Sequence, residues 1–149
     1  MGKVDLDALP TTNATGYPPP LASVVAGRHY RRLGQIAGFT DFGVSHVRLD
    51  PGASSSQRHW HEGEDEFVVM LAGEAVLVTD AGRTPMRVGD CAAFPKGRPD
   101  GHHLVNESKQ PAVFIVVGRP SASDCHYPDV DLHLDGASQR YRHKDGRPY

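Results

Sequence analysis

Apolar residues in this chain never run far before a turn signal stops them, and that pattern decides most of what it can fold into. Segments 44–49, 66–71, 75–79, 91–94, 102–105 and 112–117 are apolar or alternating and have the length of ordinary strands. Between them stand Asp50-Pro51-Gly52, Ala72-Gly73, Asp80-Ala81-Gly82-Arg83, Val88-Gly89-Asp90, Pro99-Asp100-Gly101 and Glu107-Ser108-Lys109, combinations that bend the backbone. No segment sustains the apolar period of a helix through its interior. The spacing predicts an all-β sandwich or barrel rather than alternating βαβ units. At 149 residues the chain has the size of one domain and can bury a sizeable core.

Against this framework one group of side chains stands out. His59 and His61 flank Trp60, and on an extended strand residues two apart face the same way. The two imidazoles would therefore stand side by side with Trp60 turned away. Glu66 opens the next apolar run after an acidic turn at 62–65, and an antiparallel return would set it opposite the histidines. His102 and His103 follow much later. Three imidazoles and one carboxylate are the donor mix of a single divalent transition metal, Fe, Mn, Ni, Co, Cu or Zn. The blander alternative is a hydrogen-bonded polar patch.

These residues fall in two glycine-punctuated blocks. The first runs from Gly52 through His59, His61 and Glu66 to Gly73; the second runs from Gly89 through Pro95 and Gly97 to His102 and Asn106. Together they resemble the two sequence motifs of the cupin superfamily, over residues 34–118. The resemblance implies a double-stranded β-helix, the cupin jelly-roll barrel, with His59, His61, Glu66 and His102 holding a metal inside it. Residues 1–33 would supply an extended arm and the first strand, and 119–149 a second arm. The loop from Gly97 to His102 is longer than the family pattern. Register to Asn106 selects His102, with His103 facing the opposite side of the strand. The stretch Gly89-Asp90-Cys91-Ala92-Ala93-Phe94-Pro95 and tail segments 127–132 and 143–146 are similar to bacterial stand-alone cupins, some provisionally labelled sugar-phosphate isomerase-like.

Alternation predicts what faces inward. Ser55 and Gln57 should accompany the histidines, Val68 and Met70 should follow Glu66, and Leu104 and Asn106 should follow His102. Mostly apolar walls with a few polar groups are common in small-molecule sites. Gln57 and Asn106 are candidates to hold the far nitrogens of the ligand imidazoles. Arg48 is placed to reach the interior or to stay solvated. The outward set Phe67, Val69, Leu71 and Trp60 is too apolar for a solvated face and predicts a cover, either flanking segments or the second subunit of a homodimer. Gly52, Gly73, Gly89 and Gly97 read as turn residues of positive φ, and Cys91 as a small core residue.

The ends differ from the middle. The run Pro18-Pro19-Pro20 reads as an extended arm. Tyrosines in both arms are expected to anchor them across the barrel or a partner subunit. A net charge of −2 with neutral histidines provides no field for nucleic acid. No apolar stretch approaches a secretory signal or a membrane span, so the expected compartment is the cytoplasm, where Cys91 and Cys125 stay reduced. The expected function is a metal-dependent enzyme acting on a small oxygen-rich molecule, by isomerase, lyase or dioxygenase chemistry. The alternative is a non-catalytic cupin that binds or senses a small ligand; a storage role fits a short domain with an intact donor set least well.

Overall fold

The computed structural model describes residues 2–119 and 121–149. Its strands are β1 (Arg28–Arg32), β2 (Gly43–Leu49), β3 (Trp60–His61), β4 (Glu66–Ala72), β5 (Glu74–Thr79), β6 (Gly82–Arg87), β7 (Cys91–Phe94), β8 (His103–Val105), β9 (Ala112–Gly118), β10 (Cys125–Tyr127), β11 (Leu132–Asp135) and β12 (Arg140–Arg142). Strands β2, β4, β5, β7, β8 and β9 coincide with the segments predicted from turn spacing. The helical pieces described are single turns, including α1 (Pro19–Ala22) and α2 (Leu33–Ile36).

Five strands form one sheet in the order β1-β2-β9-β4-β7, and β6-β5-β8 form a second. A third sheet, β12-β11-β10-β3, is built almost wholly from the C-terminal segment. Isolated bridges His59↔His102 and Ser54↔Val105 join the chain before β3 to the β8 region. The sheets thus make a jelly roll of facing layers that does not close into one continuous barrel.

Side-chain alternation places the core between those layers. In β4, Val68 and Met70 are buried while Phe67 is exposed. Val47 and Leu49 of β2 and Ala112 and Phe114 of β9 meet Ala75, Met86 and Leu104 of the facing sheet. Burying Phe114, Leu49 or Met70 fully contributes roughly 1.5–3 kcal/mol each relative to exposure. A second cluster of Cys125, Tyr127 and Leu132 packs with Tyr17 and Tyr141, which pins both ends of the chain together. The N-terminal segment also bridges to β1 through Thr12 and Tyr30.

Turn chemistry sets the register. Gly52, Gly73, Gly89 and Gly97 all have positive φ, as their spacing predicts. Gly73 is constrained twice, because its φ is +67° and an added Cβ would run into the Pro111 carbonyl. Strand β6 was hidden in the sequence by Pro85. It pairs only with β5, and an edge strand tolerates the missing N–H.

Two expectations fail for local reasons. Pro19 and Pro20 do not extend an arm; they open the helical turn α1, where a missing N–H removes no helical bond. Cys91 is exposed rather than core, because Ala92 and Phe94 take the inward face of β7. Of the two placements open to Arg48, the solvated one is taken: it is exposed and paired with Asp50 at 2.8 Å. Among the described residues, no helix is long and apolar enough to cross a membrane.

Candidate metal centre

The four residues singled out from the sequence converge on one point, by a route different from the one expected. Glu66 does not pair back on the histidine strand. It begins β4, held laterally between Phe94 of β7 and Gly118 of β9, and faces the histidines from the opposite layer. His61 lies in β3 opposite Cys125 of β10. His59 and His102 exchange backbone hydrogen bonds, His102 N to His59 O at 2.8 Å and His59 N to His102 O at 3.2 Å.

The ring nitrogens then crowd a single carboxylate oxygen. Glu66 Oε2 lies 2.9 Å from His102 Nε2, 3.3 Å from His61 Nε2 and 3.8 Å from His59 Nε2. His59 and His61 bring their Nε2 atoms to 3.1 Å of each other. His59, Glu66 and His102 form a group able to hold a metal, with ligand atoms within 4.8 Å of one another; His59, His61 and Cys125 form a second.

Neighbours fix the ring orientations. His59 Nδ1 donates to the Gln57 carbonyl at 2.9 Å, which leaves Nε2 as a lone pair facing the cluster. Gln57's side chain, by contrast, donates to the Leu21 carbonyl. Glu64 Oε2 stands 3.9 Å from His61 Nδ1. Phe94 stacks on His102 with centroids 3.6 Å apart. Asn106 is fully buried but plays no part here: it donates to the Leu49 and Gln110 carbonyls and ties down a loop. His103 Nδ1 donates to the Ser56 carbonyl, so that ring stands apart from the cluster, although it lines the same cavity rather than the strand's far side.

Burial and mutual charge set the protonation states. Burial pushes His59 down to about 4 and keeps it neutral, against the pull of Glu66. Burial opposes charge on His61 as well, but contacts with Cys125 and Glu66 outweigh it and lift His61 to about 10. Burial alone would raise Glu66; its bonds with His102 and His61 reverse this and hold it well below the usual carboxylate range. The cluster opens on a cavity of about 320 Å³ walled by Val47, Val68, Leu104, Phe114 and Val116. That is the lower end of the range for small-molecule sites.

A family model described as the cupin domain matches residues 45–118. The fold superposes on a sugar phosphate isomerase of the cupin superfamily from Silicibacter pomeroyi with a TM-score of 0.92 and 45% identity, covering 99% of this chain and 96% of that one. The chain belongs to the cupin superfamily. A putative sugar phosphate isomerase from Acidithiobacillus ferrooxidans is 25% identical over 78% of this cupin and 76% of its own chain, with a TM-score of 0.72. A Cupin 2 conserved barrel domain protein from Salinispora arenicola is 28% identical over 64% of this chain and 77% of its own, with a TM-score of 0.55. No curated protein matches the sequence.

Sequence reasoning missed two contributions to this cupin's site. Cys125 sits in what read as a polar tail, and only the pairing of β10 with β3 brings it to His61. Arg28, Tyr30 and Arg32 line the cavity from β1. Their signal was present as an alternating Arg-x-Tyr-x-Arg stripe, but a strand so polar is not recognised by apolar periodicity.

Proposed function

We propose that this cupin is a metal-dependent enzyme in which His59, His61, Glu66 and His102 hold one divalent transition ion and a small oxygen-rich substrate binds beside it. The observation that carries the reading is the gathering of three imidazole Nε2 atoms about Glu66 Oε2, at 2.9, 3.3 and 3.8 Å. Ligand bonds of ~2.1 Å around one ion put neighbouring donors about 3.0–3.4 Å apart; the 2.9, 3.1 and 3.3 Å separations lie close to that spacing, and the His59–Glu66 pair at 3.8 Å is wider. A neutral His59 with its Nδ1 proton already committed is a ligand in the correct tautomer. When bound, the metal would supply Lewis-acid polarisation of a substrate carbonyl or hydroxyl, or a redox centre.

The protein's own contribution is positioning. Phe94 packed flat on His102 and the Gln57 carbonyl on His59 hold the rings, and the apolar walls exclude water from the substrate. Similarity to the Silicibacter pomeroyi sugar phosphate isomerase favours isomerisation over lyase or oxygenase chemistry. Elemental analysis of the purified protein and turnover of sugar phosphates, uronates and keto acids test this together. One transition ion per chain and a turnover lost in His61→Ala support it; an empty site after incubation with each of the six ions sinks it. Tight ligand binding without turnover would make the protein a sensor instead. Phe67 and Leu71, 42% and 46% exposed on the outer face of β4, favour a second copy of the chain as their cover. We place the protein in the cytoplasm.

A further inference from the structure

A second chemistry faces the cavity from β1. That strand pairs with β2 so that Arg28, Tyr30 and Arg32 lie opposite Leu49, Val47 and Ser45. Residues directly opposite in an antiparallel pair share a face, and Val47 and Leu49 belong to the core. The two guanidinium groups and the phenol therefore point inward, while His29 and Arg31 point out to Asp50 and the Leu9 carbonyl. All three inward residues line the cavity that contains the four candidate ligands. Both guanidinium carbons lie beside the Tyr30 ring, 5.2 Å and 5.6 Å from its centroid, a cation–π arrangement that steadies them.

Their charge is not balanced. Among the described residues, neither Arg28 nor Arg32 has a carboxylate partner, unlike Arg48, Arg58, Arg83, Arg142 and Arg147. Arg28 uses its two Nη atoms on the Ser55 and Ala14 carbonyls, at 2.8 and 3.4 Å, and its Nε is buried without an acceptor. A buried donor left without an acceptor is costly, and a ligand oxygen placed there would relieve that cost. Glu66, the acidic residue on the cavity wall, is turned to the imidazoles and does not offset the arginines.

We propose that Arg28 and Arg32 bind the anionic group of the substrate, a phosphate or a carboxylate, while the substrate's oxygen-bearing end meets His59, His61, Glu66 and His102. This rests on the metal-dependent reading above and adds the substrate's charge class and the residues that select it. Guanidinium groups match both oxyanions in geometry, and a neutral ligand would leave the half-buried Arg28 charge without a counter-ion. The exposed Arg32 meets the anion first, and the half-buried Arg28 holds it deeper. A cavity of about 320 Å³ suits a small ligand.

Matched probe pairs test the assignment on the metal-loaded protein by calorimetry: glycerol 3-phosphate against glycerol, and lactate against 1,2-propanediol. At least one charged member should bind about tenfold or more tightly than its neutral counterpart. Arg32→Gln should remove most of that preference, and Arg28→Lys, which keeps charge but not the fork, should weaken it. The phosphate and carboxylate arms identify which oxyanion is taken. Equal binding within both pairs, no measurable binding of either anion at millimolar concentration, or a preference unchanged in folded Arg32→Gln overturns the inference. Metal content measured on the same samples separates the two claims. Bound metal without charge preference refutes only the arginine assignment; charge preference without metal refutes only the metal centre.

Discussion

Cys125 lies directly across the β3–β10 pair from His61, and its thiol is close enough to His59 and His61 to complete a three-donor group. It is 1% exposed, whereas Cys91 lies on the surface. A thiol reagent should therefore label one cysteine rapidly in the native protein and the second only on unfolding. Cys125→Ser should keep one metal per chain while lowering affinity for zinc and copper relative to manganese, since thiolate is the softer donor. A variant that loses metal altogether would make the thiol a required ligand.

Metal removal should destabilise the fold. An ion that binds only the native state at a hundred times its Kd adds about 2.7 kcal/mol, or roughly 5–10 °C in a domain of this size. Chelation followed by differential scanning calorimetry should show that drop, and His61→Ala should show no response to added metal. Equal melting temperatures with and without chelator would contradict the site.

Acid should weaken the tie between the C-terminal segment and the rest of the fold. Arg58 bridges Asp129 and Asp80, and its hydrogen bond holds the Asp129 carboxyl below the usual range. A depressed carboxylate contributes stability that is present above its unfolded pKa of about 3.9 and fades as pH falls through the lower folded value. Asp129→Asn should lower the urea midpoint modestly at pH 7 and flatten the loss of stability on acidification below about pH 4. Asp129 is half in solvent, so the effect is a small one. An acid profile identical to the parent protein's would remove this pair from the account.

Phe114→Ala should cost about 3–5 kcal/mol, measured by denaturant titration. Its ring is 1% exposed and sits between the two layers, where a cavity has nothing to collapse into it cheaply. A loss below about 1 kcal/mol would mean that the layers repack freely.

Phe67→Glu with Leu71→Lys should dissociate a dimer without unfolding the chain. Both side chains are exposed on one strand face, so the change costs the monomer little. Sedimentation would report a halved mass. An unchanged dimer places the interface elsewhere, and a monomeric parent protein disposes of it.

Much of this was legible in the residues, for physical reasons that also mark where legibility stops. The strands that face the core announced themselves because one buried face forces alternation, as in Glu66–Ala72, and because glycine is needed where φ turns positive, as at Gly73. The donors of the cluster were readable because two histidines one residue apart can face only one way. Gln57 was misjudged because the chain before His59 is not a regular strand, so alternation does not apply to it; Asn106 is buried as expected but lies just past β8, where its amide is taken by the Leu49 and Gln110 carbonyls. Strands β10 to β12 and β1 are short and rich in His and Arg, and their buried faces are only one or two side chains each, too few to set a recognisable period. Their partners depend on tertiary arrangement, which no local pattern encodes.

The two-residue strand that carries His61 has as its neighbour a strand near the end of the chain. The His61 ring therefore lacks its strand neighbour until residues 125–127 have been synthesised, well after Glu66 and His102. A chain cut short before residue 125 would lack the strand beside His61 and with it a finished metal pocket, so such a truncation should act like a lesion in the histidine itself.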